Sequence, residues 1–285
     1  MERAFQTALW LLKPHIVFIL GDIFDEGTWS SEKDWEDDVR RFSKMFRRTT
    51  DTELIVLPGN HDVGFQNEYG CECFPLQLSP FLLLNSMAVL GGSCSVCRSV
   101  EDELFLLSRD LNCSLQVGAS QDRARGSGPP HYPLYRASNA ICSGLDVAPE
   151  EVRHQRFEEQ YDTLSQEASE KLLWWFRPRL VLSGHIHRSC AVLHENKYPE
   201  VSVSSFNWRN GNRPSFLLVI AAPHHLHTFP NGAVTLGLLM RSIRGHRIPL
   251  KQTFRNVSFL SSLNPAWSRT EGFSWFGFFY VPGRS

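Results

Sequence analysis

Three short stretches decide the fold: residues 15–25, HIVFILGDIFD; residues 53–62, ELIVLPGNHD; and residues 179–187, RLVLSGHIH. Each is a run of β-branched and leucine residues that stops at Gly, Pro or Ser and then delivers polar side chains. Such runs predict short strands buried on both faces. The carboxyl ends of strands in an open α/β sheet are where loops converge on a crevice. Asp22, Asn60, His185 and His187 are therefore expected on one rim. Between the strands, Ser31–Arg48 sets Trp35, Val39, Phe42 and Met45 at helical spacing behind a Ser31/Asp34 cap. Asp162–Phe176 repeats the pattern with Leu164, Ala168, Leu172 and Trp175, and Pro178 ends it. Strands alternating with helices predict an α/β protein.

Outward from this frame, Ala191–Glu195 and Glu200–Phe206 alternate like the arms of a hairpin across Asn196-Lys197. Gly118–Pro130, with its Gly-Ser-Gly-Pro-Pro, reads as a loop. Beyond Phe216 the periodicity weakens while Gly, Pro, Ser and Arg increase. Residues 1–216 are thus expected to form the α/β domain, and 217–285 a divergent, basic, poorly ordered tail. That tail carries seven Lys/Arg and one Asp/Glu, although the 285-residue chain has a formal charge of only −1. Its cations are scattered singly without aromatic spacing, which argues against nucleic-acid binding. With 42% hydrophobic and 21% charged residues, the composition excludes disordered, collagen-like and coiled-coil classes. No run of 18 apolar residues and no signal-peptide pattern is present. Seven cysteines include Cys71/Cys73 and Cys94/Cys97, whose spacing suits a zinc site poorly, leaving buried thiols or disulfides. Asn112-Cys-Ser and Asn256-Val-Ser are glycosylation triplets.

The rim residues carry a specific chemistry. Carboxylate, amide oxygen and neutral imidazole together suit Mn²⁺, Fe or Zn²⁺ rather than Ca²⁺. The two histidines of His-x-His share one face of a strand. A single Asp can bridge two metals that drive in-line attack at phosphorus.

The ordered set GDIFDEG, GNHDVG and SGHIH resembles the calcineurin-like metallophosphoesterase superfamily. The resemblance implies a β-sandwich flanked by helices, of the four-layer α+β type, with a divalent metal cofactor, Mn²⁺. Asp22 would bridge two metals; Asn60, His131 (in HYPLYR, 131–136) and His185 would complete the second, and His187 would belong to the first. His61 would act on transition-state charge or protonate the leaving alkoxide. Asp25 would orient His61 by a hydrogen bond, and Asp62 would hold the loop.

LLWWFRPRLVLSGHIHRSC and VSVSSFNWRNGNRPSF are further similar to a branch that removes ethanolamine phosphate from the mannose of GPI anchors during early secretory transport. That similarity implies the GPI glycan as partner, with cargo receptors. It also implies membrane association and a luminal site at ER exit sites, the ER–Golgi intermediate compartment and the cis-Golgi. The family's opening strand with Asp-x-His has no counterpart before His15. The chain is accordingly expected to be a truncated or spliced form, incomplete at its start. A gap beside the His15–Leu20 strand, one metal in place of two, and weak activity should follow. The alternatives are a phosphoprotein phosphatase, disfavoured by Asp25-Glu26-Gly27 where such enzymes carry Asp-Arg-Gly, and a catalytically inactive binder.

Overall fold

The computed structural model describes residues 1–25, 27, 29–63, 82–89, 95–116, 130–143, 147–207, 209–210, 215–221, 226–230 and 277–282. Helix α1 (Glu2–Leu12) leads into β1 (Ile16–Ile19), α2 (Glu32–Met45), β2 (Glu53–Val56) and the short α3 (Asn60–Val63). After a 3₁₀ turn at Ser86–Ala88 come α4 (Ser95–Gln116), α5 (Glu150–Arg153), α6 (Gln166–Phe176) and β3 (Val181–Ser183). The strands β4 (Cys190–His194), β5 (Tyr198–Ser202), β6 (Leu217–Ala221), β7 (Leu226–Pro230) and β8 (Gly277–Pro282) follow. They form a five-stranded sheet in the order β2-β1-β8-β6-β7 and a three-stranded sheet in the order β3-β5-β4.

The four-layer arrangement follows from where β1 sends its side chains. All four of its residues are buried. Val17 and Ile19 pack with Phe5, Ala8, Leu9 and Leu12 of α1 and with Phe46 just after α2. Ile16 and Phe18 face the other way, onto Leu180, Leu182 and Val203 of the second sheet's side. A third cluster lays Leu104 of α4 and Leu172, Leu173 and Phe176 of α6 over Val181 and Tyr198. The layers are therefore helix, sheet, sheet, helix, as expected. Each fully buried Leu, Ile or Phe stabilises this stack by about 1.5–3 kcal/mol. β2 departs from the expectation of two-sided burial, since it is the edge strand and its residues are only partly buried or exposed.

Local chemistry sets the helix ends. Ser31 caps α2 by accepting from the Asp34 amide, and Ser165 caps α6 by accepting from Ala168. The second cap explains why α6 begins at Gln166 rather than Asp162. Lys13 and Arg177 each end a helix in the left-handed conformation and are each followed by Pro, which cannot continue a helix.

Two expectations are corrected. The stretch expected to be a poorly ordered tail supplies β6, β7 and β8. The gap expected beside β1 is occupied, because β8 pairs antiparallel with β1, Ile16 opposite Tyr280, and parallel with β6. Backbone groups on a bare edge need partners, and the sheet finds them in residues 277–282. Of the Gly118–Pro130 loop, only Pro130 lies within the described residues, where it bridges to Leu84. Cys71, Cys73, Cys94, Asn256, His224 and His225 lie outside them.

Among the described cysteines, Cys142 and Cys190 form a disulfide 48 residues apart in sequence, which ties the 136–143 segment to β4. Closing a loop of that length stabilises the fold by about 4 kcal/mol in the chain-entropy model. Cys142→Ser with Cys190→Ser should therefore lower the urea midpoint markedly. Dithiothreitol should do the same to the original protein and leave the double variant unmoved. Equal midpoints for the two proteins would count against this bond as a stabilising tie.

Candidate metal centre

Parallel pairing of β1 with β2 sets the loops after them side by side. Asp22 follows β1 and Asn60 opens α3. Asp62 joins the two loops: its Oδ1 accepts from the amides of Ile23 and Phe24, both at 2.9 Å, and its Oδ2 from Gly59 at 2.8 Å. This is the loop-holding role expected of it. Burial, against the pull of those amides, pushes its carboxyl up to about 6.

Glycine is required at two positions here. Gly21 has φ 103, and a Cβ on it would lie 2.5 Å from His131 Nδ1. A Cβ on Gly59 would overlap the amide and Oδ1 of Asp22. Asp22, His185 and His187 themselves sit in the left-handed region, with φ 53, 65 and 59. Left-handed backbone costs an L-residue about 1–2 kcal/mol, and such residues cluster at functional sites.

His131 arrives on the 130–143 segment, whose start is held by hydrogen bonds from both sheet and helix sides. Gly184 N donates to His131 O (2.9 Å), Tyr132 N to Ser86 Oγ (3.1 Å), Leu134 N to Glu200 Oε1 (3.0 Å) and Tyr135 N to Ser169 Oγ (2.9 Å). Glu200 is fully buried on β5 and also accepts from Ser183 Oγ (2.7 Å) and His194 Nε2 (2.7 Å). Burial opposes its charge, but His194, Arg136 and Ser183 outweigh burial and keep its carboxyl below the usual range.

The tautomers of the histidines decide what the site can hold. His131 Nδ1–H donates to Leu20 O at 2.6 Å. Its Nε2 thus faces Asn60 Oδ1 at 3.1 Å and Asp22 Oδ1 at 3.4 Å. His185 Nε2–H donates to Tyr161 O at 2.9 Å, leaving a buried Nδ1 without a hydrogen-bond partner among the described residues. Asp22, His131 and His185 each present one ligand atom, all within 4.8 Å of one another. Lone pairs from oxygen and nitrogen therefore converge on one small volume, and a cation is what reconciles them. Burial weighs against charge on Asp22, but His131, then His185 and His61, hold its carboxyl well below the usual range. Burial, reinforced by His131, pushes His185 down to about 3, and burial brings His187 to about 4. Neutral imidazole is the form that ligates metal. Burial works to lower His131, yet Asp22 overrides it and raises the group. These residues fit a divalent metal.

The remaining expected residues lie around this group. His187 stands beside it, with Nδ1 2.8 Å from Ser205 Oγ and 3.1 Å from Asn210 Nδ2. The His61 amide donates to Asp22 Oδ1 at 3.1 Å, and its exposed ring donates through Nδ1 to Asp25 at 2.9 Å. The acceptor is the backbone carbonyl of Asp25, so Asp25 meets His61 through its main chain while its carboxylate pairs with Arg209. Tyr132 was missed by sequence reasoning. It packs on His185 with ring centroids 4.1 Å apart, and its buried hydroxyl has no hydrogen-bond partner among the described residues. Ser205, Arg209 and Asn210 were also missed as site residues, although the polar run SSFNWRN (204–210) marks them.

A family model described as calcineurin-like phosphoesterase matches residues 2–189. The chain belongs to the calcineurin-like phosphoesterase family. It is 50% identical over 242 residues to metallophosphoesterase 1 of Danio rerio, 53% over 241 to that of Mus musculus and 51% over 248 to that of Gallus gallus. These alignments cover 76–78% of this chain and 61–64% of the relatives, so the chain spans less than two thirds of their length. A solved dimetal phosphatase from Danio rerio aligns with a TM-score of 0.43 and 12% identity over 71% of this chain and 76% of its own.

The site predicts its own dependence on the two close backbones. Gly59→Ala and Asp22→Asn should each weaken Mn²⁺ binding by about 10–100-fold or more. Trp174→Ala, on the exposed face of α6, should leave it unchanged. Calorimetric titration with Mn²⁺ measures all three. Unaltered affinity in Gly59→Ala would overturn the assignment of Asp22 as ligand.

Proposed function

We propose that this chain is a metal-dependent phosphodiesterase that removes ethanolamine phosphate from a mannose of GPI anchors, supporting their transport from ER to Golgi. The observation that carries the hydrolytic reading is the convergence of Asp22, His131 and His185, with Asn60 Oδ1 against His131. Similarity to metallophosphoesterase 1 at 50–53% identity supports the finer assignment, as do the GPI-branch stretches of the sequence. Mn²⁺ is the proposed metal. The GPI glycan and cargo receptors are the proposed partners, on luminal membranes of the ER exit sites, the intermediate compartment and the cis-Golgi. The Cys142–Cys190 bond agrees with an oxidising lumen. No described helix is long and apolar enough to cross a membrane.

Asp22, Asn60, His131 and His185 would hold the metal, with His187 beside them. A divalent ion bound there supplies positive charge to the phosphoryl group and acidifies water. The reaction forms a bond from a water oxygen to phosphorus and breaks the bond from phosphorus to the mannose oxygen. The chain's part is to hold charge and deliver a proton. Because His61 Nδ1–H is committed to the Asp25 carbonyl, the doubly protonated ring passes its Nε2 proton to the departing mannose oxygen and is left as the Nδ1–H tautomer. The carbonyl thereby fixes both ring orientation and tautomer.

Mn²⁺-loaded protein should hydrolyse bis(p-nitrophenyl) phosphate faster than p-nitrophenyl phosphate, and EDTA should abolish the reaction. His61→Ala should lose about 10²–10⁴-fold in turnover with its metal content intact. Ethanolamine phosphate released from a purified GPI glycan, read by mass, tests the substrate. Faster cleavage of monoesters or phosphopeptides would favour the phosphatase alternative instead.

A further inference from the structure

Two consecutive residues after β5 reach the site at two different points. Asn210 Nδ2 lies 3.1 Å from His187 Nδ1 and 3.4 Å from Ser205 Oγ. Its neighbour Arg209 pairs through Nη1 with Asp25 Oδ2, and the carbonyl of Asp25 accepts from His61. One short segment thus connects the His187 loop to the loop beneath the proton-donating histidine. The Arg209 side chain is 58% exposed, so the guanidinium offers further donors to solvent one residue from His61. Exposed ion pairs contribute little to stability, and this pair is not needed to close a core. What it does is hold a planar fork of N–H donors at the edge of a centre that receives an anion. A carboxylate is the protein group whose geometry most nearly matches two phosphoryl oxygens, and the guanidinium fork engages both in the same bidentate way.

We propose that Arg209 is a substrate-binding residue whose guanidinium engages a nonbridging oxygen of the phosphoryl group. Asp25 is its acceptor between turnovers, keeping it beside His61. The inference deepens the hydrolytic reading above and rests on it. Asp25→Asn separates binding from mere tethering: it weakens the ion pair yet keeps the backbone carbonyl that receives the His61 proton.

The test is calorimetric binding of inorganic phosphate to the Mn²⁺-loaded chain, together with phosphate inhibition of bis(p-nitrophenyl) phosphate hydrolysis. Arg209→Ala should weaken phosphate by about 10–100-fold, the scale of a charge-assisted hydrogen bond. Arg209→Lys should recover part of that loss. Asp25→Asn should bind phosphate as well as the original or better, because the guanidinium is released to the ligand. Mn²⁺ stoichiometry should be the same throughout. Equal weakening in Arg209→Ala and Asp25→Asn, as loss of a strap would give, overturns the proposal; so does unchanged phosphate affinity in Arg209→Ala. An original protein that binds Mn²⁺ but cleaves neither phosphate ester overturns the hydrolytic reading itself, a result distinct from either of these.

Discussion

One carboxylate holds two loops together. Asp62 takes three amide hydrogens, two from the loop after β1 and one from the loop after β2, and both loops deliver metal-site residues. Without it those amides would be buried donors, each costing about 1–3 kcal/mol when unpaired. The register of β1 on β2 brings the loops near, but strand pairing alone leaves their tips undefined. Fixing them lets Gly59 come so close to Asp22 that no side chain fits between. Asp22 then holds His61 through its amide, and the order propagates from a residue that touches neither metal nor substrate.

The second sheet solves the matching problem with Glu200. Its oxygens receive Leu134 N and Ser183 Oγ, so one buried side chain ties the segment bearing His131 to the strand that precedes His185. The Gly184 amide closes the same seam onto His131 O. Two buried carboxylates, one per sheet, thereby set the distances within the ligand group. Burying them is tolerable because each is surrounded by donors, as a buried charge requires.

The strands β1, β2 and β3 and the residues at their ends were legible in the sequence because each is an unbroken apolar run, although β2 lies at an edge of its sheet. Ser31 and Ser165 mark their helices in the same local way. α1 was not read, although Phe5, Ala8, Leu9 and Leu12 carry its stripe ahead of Pro14. β8 was not read, although GFFYVP (277–282) is an apolar run of the same kind; its place between β1 and β6 is decided by tertiary pairing, with β1 across more than 200 positions of sequence. In the site, ligand types were legible and directions were not. That His61 leans on a carbonyl rather than on the carboxylate of Asp25, and that Arg209 claims that carboxylate, are facts of tertiary geometry. No spacing rule encodes them.

The left-handed backbone at Asp22, His185 and His187 has a consequence for how this centre can be altered. Asp, Asn and His are among the few residues that adopt such angles with ease, so at these three positions the chain restricts the chemistry available as well as the charge. Exchanging any of the three for Glu or Cys would ask the new residue to bear an angle it disfavours. Change at this candidate centre is therefore more accessible through surrounding groups such as Ser205, Asn210 and Tyr132, which touch the histidines from ordinary backbone, than through these three residues themselves. The conformation of three residues thus acts as a filter on evolutionary and laboratory change alike.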